Sequence, residues 1–262
     1  MKYALITGGS SGLGAAFAEH LSNQGYHILI VSYDEKANQC VAQKISKKHS
    51  ALSVDFLTLD LSLENAAEQV YMHCSEKQLE VEILINNAGM FFFELLDKIP
   101  LEKIQAMLQL HIHTPTKLCA LFAKDMKERG KGYILNTSSF TAWMSYPALN
   151  LYANSKLYLK NFSRSLALEL NSFGVKVMAL CPGAIDTTLY RLSEKQRKLG
   201  RKWGVIIAPE LLAKRSVKAL FKGKVCYVPG FINKLVLLFV KITPFWVINL
   251  VKMKLDVFKE RK

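Results

Sequence analysis

The chain has 262 residues, half of them hydrophobic, which excludes a disordered chain and suits a single α/β domain with an ample core. Five scattered cysteines without a C-x-x-C pair argue against a disulfide framework or a zinc site, and they predict a reducing, cytoplasmic location. The amino end, MKYALITGG, is too short for a signal-peptide core, so the protein is expected to start directly on structure.

The formal net charge is +14, from 35 basic and 21 acidic residues. Such a balance favours acidic partners: phosphorylated cofactors, acyl carriers, anionic lipid surfaces or nucleic acid. Six basic residues lie between positions 191 and 202 against one acid, Glu194, although a solvated helix face is the simpler interpretation of any one of them. Because the basic residues are not interleaved with aromatic ones, no nucleic-acid partner is predicted.

The first element is a buried strand predicted at residues 2–6, followed by TGGSSGLG and an alanine-rich helix at 15–24. Strand, glycine turn and helix is the order in which amide N–H groups at a helix start hold a pyrophosphate. Gly8 permits the tight turn, Gly12 lets the backbone approach the phosphates, and Gly14 lets the helix pack on the strand. An ordinary glycine-rich turn is the alternative, and this spacing favours phosphate binding.

A second strand is predicted at residues 26–32, and the residue at its end determines how an adenosine ribose is recognised. An acid there binds the 2′-hydroxyl, whereas a neighbouring arginine suits a 2′-phosphate. The sequence is Ser32-Tyr33-Asp34, with no acid at the first position and no arginine at the second. Asp34 either reaches the ribose or caps the helix predicted at 35–48.

Polar residues follow the next two predicted strands. After the strand at 53–59, Asp60 serves either turn chemistry or an adenine amino group. After the strand at 81–85, the sequence NNAG (86–89) lets a ligand press against the backbone, and its asparagines can tie neighbouring strands; a plain β-turn is the alternative. The aromatic triplet at 91–93 would line a pocket, although aromatic clusters are more often core.

A long helix is predicted at residues 101–129, and it contains His111 and His113. A histidine within an apolar helix is usually a hydrogen-bonded core residue. No metal-ligand constellation surrounds either one, so neither predicts a metal site.

The stretch from Ser139 to Lys156 brings three polar side chains to where one carbonyl group would meet all of them. Tyr152 and Lys156 stand four apart, so they share one face of a helix. A free phenol has a pKa near 10 and a nearby cation favours the phenolate, which makes Tyr152 a candidate general acid or base near neutral pH. Ser139 follows a predicted strand at 133–135 and is placed to hold a substrate oxygen. A lone Y-x-x-x-K is common in helices, so this assignment depends on the other motifs.

The remaining elements are a strand at 175–180, a turn in which Thr187 offers a hydroxyl to an amide, a helix at 209–221 and a strand at 224–228. Strands alternating with helices predict one parallel, doubly wound α/β sheet of about seven strands with helices on both faces. Ligands collect at the carboxyl ends of such strands, which is where the motifs lie.

Residues 231–262 interleave apolar residues with lysines and are interrupted by Pro244. No stretch reaches the roughly twenty apolar residues that span a bilayer. Two short amphipathic helices divided at the proline are predicted, as an extension to a catalytic domain at 1–230. They either lie peripherally on a membrane with lysines toward anionic head groups, or cover the substrate cleft or a dimer contact; the second interpretation is favoured.

Together these motifs resemble the short-chain dehydrogenase/reductase family over residues 1–230. Each motif alone is weak, but their joint occurrence in the right order is strong. TGGSSGLG matches the family's T-G-x-x-x-G-x-G loop, and residues 86–89 match its N-N-A-G motif. Its active-site serine and Y-x-x-x-K motif are matched by Ser139, Tyr152 and Lys156. Its P-G-x-x-x-T turn is matched by Pro182, Gly183 and Thr187.

The resemblance implies a Rossmann-type, NAD(P)-dependent oxidoreductase, expected as a homodimer or homotetramer. Tyr152 would handle the proton on the substrate oxygen while nicotinamide passes a hydride, Ser139 would position that oxygen, and Lys156 would bond the nicotinamide ribose. Ile185 and Thr187 would hold the carboxamide. The implied cofactor-binding residues are Gly8, Ser10, Ser11, Gly12, Leu13, Gly14, Tyr33, Asp60, Leu61, Asn87, Ala88, Gly89, Tyr152, Lys156, Pro182, Gly183, Ile185 and Thr187, with Asp60 and Leu61 flanking the adenine.

Two positions depart from the family pattern. His111 stands where the family has a fourth catalytic residue, an asparagine that supports a water relay to the lysine. Histidine also hydrogen-bonds water and can titrate, so a working relay with altered pH dependence is predicted. Tyr33 stands where members that prefer the 2′-phosphate often carry arginine, and the missing acid at Ser32 favours NADP(H) over NAD(H).

The leading functional hypothesis is a reductase that acts on a carbonyl of a lipid-like or acyl substrate. A steroid, retinoid or small alcohol is the alternative substrate, because no residue pattern in the substrate loop identifies one. A non-catalytic, redox-sensing dinucleotide-binding protein is the rival from another class. An intact Ser139, Tyr152 and Lys156 argue against that rival.

Overall fold

Aliphatic runs form short strands that are buried on both faces, as parallel sheets require. The computed structural model describes residues 1–144, 146–185 and 206–254, and the strands in these ranges form one parallel sheet. The strands are β1 (Lys2–Thr7), β2 (His27–Ser32), β3 (Val54–Thr58), β4 (Glu80–Asn86), β5 (Gly132–Thr137), β6 (Val175–Leu180) and β7 (Cys226–Tyr227). The predicted seven-stranded, doubly wound fold is confirmed.

The strand order is β3-β2-β1-β4-β5-β6-β7. The chain therefore winds outward from β1 to β3 and then returns to the other side of β1, which creates a switch point between β1 and β4. Ile6 pairs with Ile85 at this point, so the loops that follow β1 and β4 leave the sheet side by side. This is the edge at which a doubly wound sheet binds its ligands.

Helices cover both faces of the sheet. Those on one face bury Phe17, Leu21 and Leu220, and those on the other bury Val70 and Phe122. The α-helices are α1 (Gly12–Ser22), α2 (Glu35–Lys48), α3 (Ala66–Glu76), α4 (Leu101–Leu108), α5 (Thr114–Glu128), α6 (Asn150–Leu170), α7 (Pro209–Phe221), α8 (Phe231–Ile242) and α9 (Phe245–Lys254).

The long helical run predicted at 101–129 is present, but a π-helical turn, Gln109–His113, lies within it and separates α4 from α5. Pro115 explains the interruption. It has no N–H for the carbonyl four residues earlier, and its ring crowds that carbonyl. Just before the proline, the Thr114 amide donates to the carbonyl of Gln109, which is five residues earlier rather than four. Such wide turns are frequent at functional sites, and this one carries His111.

The two helices predicted after residue 231 are present as α8 and α9, divided by Thr243 and Pro244. Helix α8 packs against a short 3-10 turn, Phe140–Trp143, that follows β5. None of the helices in the described ranges is both long and apolar enough to cross a membrane. The basic run at 191–202 lies outside the described residues.

Candidate active site

Tyr152 and Lys156 lie one turn apart on α6, as their spacing predicts. The Lys156 Nζ is 5.7 Å from the centre of the Tyr152 ring. Both side chains are buried, with only 6% and 4% of their surfaces exposed. The sequence thus brings an ammonium group and a phenol together in a place where little water screens them.

Two strand-end residues hold Lys156. Its Nζ donates a hydrogen bond to the Thr137 carbonyl at 3.0 Å, and the Ser138 hydroxyl donates to the Lys156 carbonyl at 2.6 Å. Burial lowers the pKa of Lys156 to about 8. A group with this pKa is mostly protonated at neutral pH, so the cation is present beside Tyr152 there.

Ser139 follows β5 and begins the 3-10 turn that contacts α8. Its Oγ accepts hydrogen bonds from the Thr141 amide at 3.1 Å and from the Thr141 hydroxyl at 2.9 Å. Because both neighbours act as donors, the Ser139 hydroxyl keeps its own proton for another acceptor. The Phe140 amide donates to the Pro182 carbonyl at 2.8 Å, which joins this loop to the turn after β6.

His111 is fully buried, and its hydrogen bonds define its tautomer. The Met90 amide donates to Nε2 at 3.0 Å, so this nitrogen carries no proton. Nδ1 therefore carries the proton of a neutral ring and donates to Ser155 Oγ at 2.9 Å. The Ser155 hydroxyl donates in turn to the Tyr152 carbonyl at 2.7 Å.

This geometry does not support the predicted relay through His111. The ring spans the distance from the Met90 loop to α6, so both of its nitrogens are occupied by protein groups and neither is left for a water. Burial, and then the charge of Lys156, lower the pKa of His111 well below its usual value. His111 is therefore a neutral residue of the π-helical turn, and its hydrogen bonds connect this turn to the loop after β4 and to the helix that carries Tyr152.

Phe91 belongs to the aromatic triplet that was expected either to line a pocket or to lie in the core. Its ring meets the Tyr152 ring edge-on, with the centres 5.0 Å apart. Ser155, Thr137 and Ser138 were missed as site residues. Their roles depend on contacts across the fold, and single polar residues on a helix or at a strand end carry no distinctive pattern.

The glycine loop after β1 has the shape that a pyrophosphate requires. A Cβ on Gly14 would come within 2.0 Å of the Gly8 carbonyl, so only glycine lets α1 approach this closely. Gly8 itself has φ +63°, in the left-handed region. Ser11 precedes α1 and its side chain makes no capping hydrogen bond, which leaves the first amide groups of the helix to an anion.

The loop after β4 is tied to the glycine loop through Thr7. The Thr7 hydroxyl oxygen accepts from the amides of Asn87 at 2.9 Å and Ala88 at 3.1 Å. The Asn87 side chain donates to the carbonyls of Thr7 and Gly8 at 3.2 and 3.3 Å. The expectation that NNAG ties neighbouring strands is confirmed, since Asn86 also donates to the side chain of Asn136 on β5 at 2.8 Å.

The end of β2 lies next to the glycine loop. Ser32 Oγ is 2.9 Å from Ser10 Oγ and 2.7 Å from Asn38 Oδ1. Tyr33 is 78% exposed, and Asp34 caps α2 by accepting from the Ala37 amide at 3.0 Å. The capping interpretation of Asp34 is confirmed, and no acid occupies the Ser32 position.

The other expected cofactor residues lie at neighbouring strand ends. Asp60 accepts hydrogen bonds from the Ser62 amide and hydroxyl at 2.8 and 2.7 Å, which is turn chemistry, and Leu61 is buried. Asn233 of α8 packs closely on Gly183. Ile185 is buried and pairs with Ile207. Thr187 lies outside the described residues.

These groups fit a nicotinamide dinucleotide. The glycine cradle and the open start of α1 suit its pyrophosphate, and Lys156 lies beside the loop after β4, with its Nζ 3.5 Å from the position of a Cβ built on Gly89. Within the described ranges, no group of three or more histidine, cysteine or carboxylate side chains is arranged to hold a metal ion.

Comparison with solved structures supports the fold. A 7beta-hydroxysteroid dehydrogenase structure superposes with a TM-score of 0.87 at 22% identity and covers 97% of each chain. A short-chain dehydrogenase from Sphingobium yanoikuyae in complex with NADPH gives a TM-score of 0.78 at 24% identity, covering 88% of this chain and 89% of that one.

Sequence relatives are closer in identity but longer. The 17-beta-hydroxysteroid dehydrogenase type 3 of Danio rerio is 31% identical over 195 residues, 72% of this chain and 62% of the relative. The very-long-chain 3-oxoacyl-CoA reductase of Pyricularia oryzae is 33% identical over 178 residues, 67% of this chain and 54% of the relative. The alignments therefore leave more than a third of each relative unmatched.

A sequence model described as short chain dehydrogenase matches residues 2–198, which include the glycine loop, NNAG, Ser139, Tyr152 and Lys156. This range covers most of the chain and every motif from which the resemblance was drawn. The chain belongs to the short-chain dehydrogenase/reductase family.

Proposed function

We propose that this enzyme reduces the carbonyl group of a hydrophobic acyl or lipid-like substrate with NADPH. The observation that carries the proposal is the buried Lys156 ammonium group 5.7 Å from the centre of the Tyr152 ring. The names of two relatives refer to hydroxysteroids and to very long 3-oxoacyl chains. Each of these molecules has a large hydrocarbon part that carries a hydroxyl or keto group, which supports a substrate of this class.

The chain's own residues supply the proton chemistry. When bound, the nicotinamide supplies the hydride. Tyr152 donates a proton to the substrate oxygen, and the Lys156 cation stabilises the phenolate that remains. Ser139 donates a hydrogen bond to the same oxygen, because Thr141 leaves its proton available. In the oxidative direction Tyr152 acts as the base.

The cofactor would be held along the switch point of the sheet. Residues 10–14 would bind the pyrophosphate, Asp60 and Leu61 would flank the adenine, and Lys156 would bond the nicotinamide ribose. Pro182, Gly183, Ile185 and Thr187 would hold the carboxamide end.

A preference for NADP(H) follows from the end of β2. The Ser10 hydroxyl, which lies 2.9 Å from the buried Ser32 hydroxyl, and the exposed Tyr33 offer neutral hydrogen-bonding groups to a 2′-phosphate, whereas a carboxylate there would repel it. Asp34 is already used as a helix cap. We also propose that the chain assembles as a homodimer or homotetramer.

The test is turnover with NADPH and with NADH over three carbonyl probes: a long-chain 3-oxoacyl-CoA, a 17-ketosteroid and cyclohexanone. We expect oxidation of NADPH with one or both apolar probes, at a higher kcat/KM than with NADH. Faster reaction with cyclohexanone would contradict the substrate class, and faster reaction with NADH would contradict the cofactor preference. Binding of NADPH without turnover of any probe would favour the non-catalytic rival.

A further inference from the structure

Helix α8 has an inner face that is covered by protein and an outer face that is apolar and exposed. Asn233 and Leu237 lie on the inner face with 6% and 8% of their surfaces exposed. Residues spaced three, four, seven or eight apart share a helix face, so the outer face is an apolar stripe. The stripe consists of Phe231, Leu235, Leu238, Phe239 and Ile242, which are 43–75% exposed.

Helix α9 continues this surface with Phe245, Trp246 and Leu250, which are 80%, 65% and 52% exposed. In the part of the chain that the structure describes, 21 large apolar side chains are exposed, and nine of them lie between residues 231 and 250. Scattered apolar side chains are normal on a protein surface, whereas a cluster of this density marks an interaction site. We call these eight residues of the stripe and of α9 the C-terminal apolar face.

The charges around this face select its partner. Residues 231–254 contain four lysines and no aspartate or glutamate. Docking of a second copy through this segment would bring two segments of net positive charge together without a compensating acid, which opposes self-association through this face. An anionic bilayer offers both an apolar interior and negative head groups.

We propose that the C-terminal apolar face docks this enzyme peripherally on an anionic lipid bilayer. Trp246, Phe239 and Phe245 lie at the level of the head groups, where amphipathic or aromatic rings are favoured, and Lys234 faces the phosphates. The helices lie on the surface, in keeping with their lengths of 12 and 10 residues.

The docked orientation has a consequence for access to the active-site side of the molecule. Phe245 and Ile248 of α9 line a cavity of about 290 Å³ together with Met144, Tyr146 and Pro147. These three residues belong to the loop that joins Ser139 to the helix of Tyr152. A molecule that leaves the bilayer would therefore meet this loop without crossing water.

Vesicle flotation of the full chain tests the proposal. We expect the wild type to float with phosphatidylcholine vesicles that contain phosphatidylserine, and to float less with phosphatidylcholine alone or in high salt. Leu238→Glu combined with Phe239→Glu should lower the bound fraction at least about tenfold. Leu101→Glu combined with Leu168→Glu is the matched control: it adds the same charge at two exposed leucines elsewhere, 79% and 82% exposed, and should float like the wild type.

Three results would overturn the proposal: no flotation of the wild type, equal flotation of the Leu238/Phe239 variant, or equal loss in the control. Sedimentation of the same proteins without vesicles measures their oligomeric state and tests whether a second copy of the chain covers this face. A dimer that dissociates only in the Leu238/Phe239 variant, together with absent flotation, would assign the face to a second copy. Circular dichroism and NADPH binding verify folding. Flotation needs no turnover, so the outcome is independent of the proposed reaction.

Discussion

Lys156 is a residue of the candidate site whose pKa is changed by burial. A lysine in water has a pKa of 10.5, and burial in this fold lowers the pKa to about 8. The Thr137 carbonyl holds the ammonium group in a fixed position. The enzyme therefore keeps a cation beside Tyr152 at neutral pH, close to the point at which the cation begins to lose its proton.

Replacing Lys156 by Met should change how the free energy of unfolding depends on pH. Between pH 8 and 10.5 the unfolded wild type binds a proton that the folded protein has released, so wild-type stability rises with pH through this window. The variant lacks this contribution, which is about 3 kcal/mol at most. Urea unfolding at about pH 7 and about pH 10 measures the difference.

The control is Lys103→Met, at an exposed lysine, which should behave like the wild type. A Lys156→Met protein with the wild-type pH dependence would refute the lowered pKa of Lys156.

His111 should remain neutral throughout the pH range in which the enzyme is stable. Its Nε2 accepts from Met90, its pKa is lowered well below the usual value, and Lys156 and Tyr152 are the titratable groups beside it. Nitrogen-15 NMR should give a protonated Nδ1 and an unprotonated Nε2 from about pH 8 to about pH 5.5, with His111→Asn used for assignment. A titration near the ordinary histidine pKa would restore the relay hypothesis.

At the scale of elements, the site depends on the junction between β1 and β4. Thr7 provides one oxygen for two amides of the loop after β4, and Asn87 returns two hydrogen bonds to the glycine loop. The two loops that line the proposed cofactor site are thereby held as one unit. Neither loop contains regular structure that would fix it alone.

Thr7→Val should loosen this junction while keeping the volume of the side chain. Two buried or half-buried amides lose their acceptor, so the free energy of unfolding should fall by about 1–3 kcal/mol, and the Kd for NADPH should rise. Urea denaturation and NADPH fluorescence titration measure the two effects. Thr58→Val, at an exposed position of β3, is the control, and equal behaviour of the two variants would show that Thr7 has no such role.

Local sequence was sufficient for some elements and not for others. The glycine loop, NNAG and the Y-x-x-x-K pair were predictable because each motif lies within a few residues. Pro115 predicts that the hydrogen-bond ladder is interrupted near this position, but it does not predict that the interruption is a π-helical turn. The bonds of His111 were not predictable, because they join residues 21 and 44 positions away in the chain.

At the scale of the whole molecule, the alternation of strands and helices was enough to predict the doubly wound sheet. It could not predict that α8 would turn an inner face to the loops after β5 and β6 and leave an apolar stripe outside. The polar Asn233 of α8 is buried while the apolar Leu238 and Phe239 are exposed, so burial is decided by packing rather than by pattern. Substrate identity is likewise undetermined by pattern, because it depends on the shape of the cleft.

In the proposed reaction, Tyr152 gives the proton to the substrate oxygen during carbonyl reduction. The direct measurement is kcat/KM for the fastest carbonyl probe with NADPH, in the wild type and in Tyr152→Phe, alongside the NADPH Kd of each. We predict a loss of at least about a hundredfold in kcat/KM for the variant with little change in Kd. Full activity of Tyr152→Phe would contradict the account.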